Sequence, residues 1–172
     1  MTTFVRRTAA RRHPRGQGLV EFALVLPVFL FIVFGLIDMG RYVYLNSTLS
    51  QAAREAARVA AVEAYWMGRS GGACGAVAGP VCPANTAAFR TDVLNGANRM
   101  MAPFGQIASA DLYTSCDVGT PPSPVTTQTC TAPSIGGYAS VRVVLVFHPI
   151  TPVISSMFGS ITSQASATMV IN

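Results

Sequence analysis

Glu21 is the first residue to ask about, because its chemistry conflicts with its surroundings. It stands near the start of an apolar run, RGQGLVEFALVLPVFLF, residues 15–31. A carboxylate in hydrocarbon costs on the order of 2.5–3.5 kcal/mol at a helix centre by insertion scales. Taken alone, Glu21 reads as a helix-start acid favoured by the positive end of the helix dipole. Four thiols are the other reactive groups: Cys74, Cys82, Cys116 and Cys130. An even count suggests two disulfides, with three possible connectivities. Local pairing, Cys74–Cys82 and Cys116–Cys130, is the preferred reading, since each bond would staple a Gly- or Pro-rich loop. Zinc is disfavoured because neither spacing is a tight C-x-x-C and only His13 and His148 could add nitrogen ligands.

The elements around these residues separate by composition. Hydrophobic residues make up 51% of the 172 and charged residues only 11%, too apolar for an ordinary soluble domain. No charge falls between Phe22 and Ile37. With its flanks to Leu19 and Met39, the run makes roughly 32 Å of helix, enough to span a bilayer core. The net charge of +5 comes from Arg6, Arg7, Arg11, Arg12 and Arg15, which all precede the run. After Gly16 the remaining arginines balance the acids, so a basic nucleic-acid face is not expected. An Arg cluster before an apolar span instead places the N-terminus in the cytoplasm and the remainder on the exported side.

Residues 1–16 read as a basic leader in which Pro14 and Gly16 discourage helix. Residues 17–40 read as the transmembrane segment and 41–67 as its amphipathic continuation, uninterrupted by Gly or Pro between Arg41 and Met67. Leu45, Leu49, Ala52, Ala56, Val59 or Ala60, and Trp66 recur at helical spacing, with Arg54, Glu55, Arg58 and Glu63 at other positions. The small residues Ala52, Ala56 and Ala60 suit either a core or the close approach of another helix. Asp38 with Arg41 reads as an interfacial ion pair of little weight. Pro27 can kink the apolar half, which membrane helices tolerate.

Residues 68–172 read as an exported α+β head. A loop occupies 68–83. A second helix follows, capped by Asn85 or Thr86 and reaching Met101, with Phe89, Val93, Ala97 and Met100 on one face. Strands are expected near 107–115, 138–148 and 161–171, forming a short antiparallel sheet. Val141, Val143, Leu145 and Phe147 alternate with Arg142, Val144 and Val146. The stretch 119–134, rich in Pro and Thr, reads as a loop.

The stretch RGQGLVEFALVLPVFLFIVFGLIDMGRYVYLNSTLSQAAREAARVAA, Arg15–Ala61, resembles the TadE-like family of Tad (Flp) pilus assembly proteins. Glu21-Phe22-Ala23, Pro27, Gly35, Asp38, Gly40-Arg41 and Ala52–Ala57 carry the likeness, and Gly16 resembles the end of a type IV prepilin leader. The resemblance implies that a prepilin peptidase cuts between Gly16 and Gln17, so that Glu21 becomes the fifth residue of the mature chain. Gly suits such a site because it can lie extended in a protease cleft. Glu21 would then pair with the new α-amino group of a neighbouring subunit and set axial register. The implied partners are prepilin peptidase, other pilus subunits, the inner-membrane assembly machinery and membrane lipid. The implied location is the inner membrane, single-pass, with the head outside the cytoplasm.

No catalytic motif is visible. G-x-S-x-G is absent, the Gly-rich 68–79 stretch lacks a Gly-Lys-Ser/Thr ending, and Asp92, Asp111 and Asp117 show no paired spacing. An enzyme, a cofactor and a metal are therefore not expected. Two classes remain: a minor pilin or pseudopilin, and a permanently anchored exported binding or accessory module with no filament role. The large head favours a minor, priming or tip role in the first class.

Overall fold

The computed structural model describes residues 16–69, 85–101 and 106–172. Helix α1, Gln17–Arg69, runs uninterrupted through Pro27. Helix α2 spans Thr86–Met101. Strands β1, Ser109–Thr114, and β2, Tyr138–Phe147, are followed by a short helix α3, Pro152–Phe158, and strand β3, Ile161–Val170. The three strands form one antiparallel sheet in the order β1-β2-β3. The class is α+β with a long N-terminal helix.

The chain divides into two compact units, Met1–Ile37 and Asp38–Asn172. The described part of the first is apolar helix whose side chains are nearly all solvent-facing: Leu19, Phe22, Leu24, Val28 and Phe29 are exposed. It is long and apolar enough to cross a membrane, which is compatible with a single-pass protein.

In the second unit, the rest of α1 has a wide buried face. Leu49, Ala52, Ala53, Ala56, Ala57, Ala60, Ala64 and Met67 are fully buried. They share one core with Phe89, Val93, Ala97 and Met101 of α2 and with the inner face of the sheet. The alternation of β2 sends Val141, Val143, Leu145 and Phe147 inward, as expected, opposite Ala167, Ala165, Ser163 and Ile161 of β3. Such burial stabilises by roughly 25 cal/mol per Å² of apolar surface.

Small residues set how closely the layers approach. A Cβ on Gly96 would come within 3.0 Å of Val59 Cγ2, so α2 lies tight against α1 there. A Cβ on Gly68 would sit 2.3 Å from the Pro133 carbonyl oxygen, so the loop before β2 crosses the end of α1 where only glycine fits. α1 therefore extends past Met67 to Arg69, and the expected loop starts later than residue 68. α2 begins as expected, with the Asn85 side chain accepting a hydrogen bond from Ala88 N–H at 2.8 Å.

Three expectations about faces are corrected. Met101, not Met100, enters the core, because Phe89, Val93 and Ala97 continue at the next i+4 position. Trp66 is 42% exposed, and the neighbouring Met67 takes the fully buried position. Glu63 is buried rather than solvated, at 8% exposure, because it falls among Ala60, Ala61 and Ala64 on the broad core face.

Candidate processing and docking site

Gly16 precedes α1 directly, and its carbonyl accepts the Val20 N–H at 3.2 Å. A Cβ on Gly16 would meet no atom within 4 Å. Packing among the described residues therefore gives no reason for glycine here. Gln17 is the first helical residue. Glu21 lies one turn later on the same face and is exposed. The Gly16–Gln17 bond thus lies at the first turn of α1, where helix ends fray readily. A new amine at Gln17 would lie on the Glu21 side of the helix, so a pair within one chain competes with a pair between chains.

Asp38 does much more than the expected ion pair. Its side chain is buried. Oδ1 accepts the Ile150 N–H at 3.1 Å, and Oδ2 accepts the Thr151 N–H at 3.0 Å together with the Thr151 hydroxyl. Arg41 Nη1 stands 3.5 Å from Oδ1. These donors satisfy a carboxylate that burial would otherwise penalise. They tie α1 to the segment joining β2 to α3. Arg41 also lies over the Phe147 ring at 5.5 Å, and Tyr42 meets the same ring edge-on at 5.6 Å. Asn46 Oδ1 accepts the Ser163 hydroxyl at 2.7 Å and carries the tie to β3.

The Ala52, Ala56 and Ala60 stripe, for which two roles were open, is core: all three are covered within the head. The face of α1 left exposed in this unit carries Val43, Tyr44, Val62 and Trp66.

Cys116 and Cys130 are bonded, with Cα atoms 5.4 Å apart, and no described cysteine is free. The bond joins the end of β1 to the loop that pairs beside it, where Thr114 N–H donates to Gln128 O at 2.8 Å. The Cys74–Cys82 reading and the leader, residues 1–15, lie outside the described residues.

Two ionisable sites in the head are shifted. Arg142 of β2 lies directly opposite Asp111 of β1 and donates to it, and Thr127 adds a hydroxyl at 2.9 Å. The Arg142 guanidinium holds the Asp111 carboxyl below its usual range. Glu63 goes the other way. Burial, then the nearby Asp92 charge on α2, pushes it up to about 8, and its Oε2 has no hydrogen-bond partner. Antiparallel packing accounts for the opposition: Val59 meets Gly96, and one turn along each helix lie Glu63 and Asp92. Arg58, which donates to both Glu55 oxygens, holds that carboxyl below its usual range, and Arg99 on α2, one turn the other way, adds to this.

Sequence reasoning missed the burial of Glu63, and the available signal was its place beside the small residues Ala60, Ala61 and Ala64. For Asp38 only half was legible: an acid closing an uncharged stretch needs donors, but those donors lie more than a hundred residues away. No group of three or more metal-ligating side chains is present among the described residues.

An apolar helix long enough to span a bilayer, continuing into an α+β head, is compatible with the class of singly anchored proteins. Within that class, residues 16–58 match the family described as TadE-like protein, beginning at Gly16 and ending on the alanine-rich core face. The match covers about a quarter of the chain and implies a role in Tad pilus assembly. No curated protein and no solved structure matches the chain.

Proposed function

We propose that this protein is a minor pilin or pseudopilin that acts in assembly of a Tad (Flp) pilus or a related secretion apparatus. The carrying observation is the family match that starts at Gly16, directly before a helix in which Glu21 is the one charged residue between Gln17 and Ile37. In this reading prepilin peptidase removes residues 1–16. The span then holds the protein in the inner membrane, N-terminus inside, until it joins other subunits. Glu21 supplies the charge that meets a neighbour's new α-amine. The disulfide fits an oxidising compartment for the head.

The test is Glu21→Gln. The amide is nearly isosteric and cheaper to bury, so membrane insertion and leader removal should be unchanged. Co-purification with other pilus subunits should fall, because an unpaired amine in an apolar bundle is costly. Normal co-purification by a correctly processed Glu21→Gln protein would contradict the pairing.

A further inference from the structure

The segment between β2 and β3 has a surface that the assembly reading does not use. From Pro149 to the end of the sequence there is no charged residue, and 149–158 reads PITPVISSMF. Ile150 is 68% exposed. Its own backbone N–H and that of Thr151 are bound to the Asp38 carboxylate. Asp38 is the first charged residue after the uncharged stretch ending at Ile37. If α1 leaves the bilayer there, the backbone of 150–151 is held within hydrogen-bond reach of the exit. The surroundings have the composition of a membrane interface. Tyr42 packs on Phe147, Arg41 is partly exposed, and His148 is exposed.

We propose that the 149–158 segment is a second, peripheral contact with the bilayer, with the Ile150 side chain in the boundary between headgroups and acyl chains. The occupant of this surface is lipid, not another protein, because the Asp38 tie fixes it beside the span's end. The opposite end of the head is far away. Phe147, at the near end of β2, packs on Tyr42, while Tyr138 at the other end is roughly 30 Å along the strand. Val118 lies at that far end, near Gly136, and is 71% exposed. Ile150 and Val118 are thus equally exposed aliphatic residues at opposite ends of one body. The inference rests on the membrane reading of α1, and the test separates the two.

In a Trp66→Phe background, single tryptophans at Phe29, Ile150 and Val118 report position. The full chain is placed in two sets of phosphatidylcholine vesicles, one with acyl chains brominated near the headgroup end, which reads 150 and 118, and one brominated near the terminal methyl, which reads 29 at the midpoint of the span. Tryptophan at 29 should be quenched, as should tryptophan at 150, the latter at least about twofold more than at 118. Quenching at 29 with equal, weak quenching at 150 and 118 would overturn the peripheral contact and leave the span intact. No quenching at 29 would overturn the span itself and the contact with it.

Discussion

The two halves of α1 are one continuous helix with opposite designs. From Gln17 to Ile37 the large apolar side chains, Leu24 and Phe29 among them, face outward. From Asp38 to Arg69 the outward positions include Arg54 and Arg58, and the covered ones are mostly alanine. The first half puts its hydrophobic area where a second solvent must be apolar. The second uses small residues so that a helix and a sheet can come close. Helix propensity cannot distinguish them, since both are helical. What differs is the medium each face is built for, and Asp38 marks the change by turning its charge into a structural tie.

Matched truncations should separate the halves most strongly. Leu49→Ala removes a fully buried side chain and should cost the head about 2–5 kcal/mol. Leu24→Ala removes one that is 72% exposed and should leave head stability unchanged. Denaturant unfolding in a single detergent, followed by Trp66 fluorescence, reads both. Comparable losses would mean that the apolar half packs on protein, breaking the distinction.

Glu63 gives the next effect, and its sign follows from its raised value. Below the free-chain value near 4.5 the carboxyl is protonated in both states and costs nothing. Between there and about 8 the unfolded chain ionises first, so stability falls as pH rises, by an amount on the order of a few kcal/mol. Glu63→Gln should abolish that component and stabilise the head at pH ~8. Melting curves of both proteins across the window check it, and parallel pH profiles would contradict the buried, orphaned carboxyl. Gly68→Ala should cost less, about 1–3 kcal/mol, since the Pro133 carbonyl must retreat from the new methyl. The readout is the same unfolding curve.

These effects also show what a sequence can reveal. Period-2 alternation placed the inner face of β2, and Asn85 marked the start of α2, because each signal is local. The apolar span was plain from the absence of charge between Phe22 and Ile37. α3 escaped notice because Thr151-Pro152 gave only a short helix start, with no long periodic face behind it. Trp66 and Met67 were exchanged because a heptad-like count drifts by one position over six turns of a 3.6-residue helix. The Asp38 tie depended on tertiary contact with Ile150 and Thr151, which no local pattern records. At Gly16 the limit is different. Among the described residues its surroundings are open, so packing gives no reason for glycine, and the proposed reason is cleavage by a peptidase.

That reason is the centre of the account, and the N-terminal residue of the protein in envelope fractions tests it most directly. Intact mass and N-terminal sequencing, with prepilin peptidase present, should give a chain beginning at Gln17. Gly16→Ala should be processed in part. Gly16→Leu should remain full length while its head keeps the parent's unfolding curve, because no atom crowds that position. A parent chain that begins at Met1 or Thr2 under those conditions would contradict the account and leave a permanently anchored exported module.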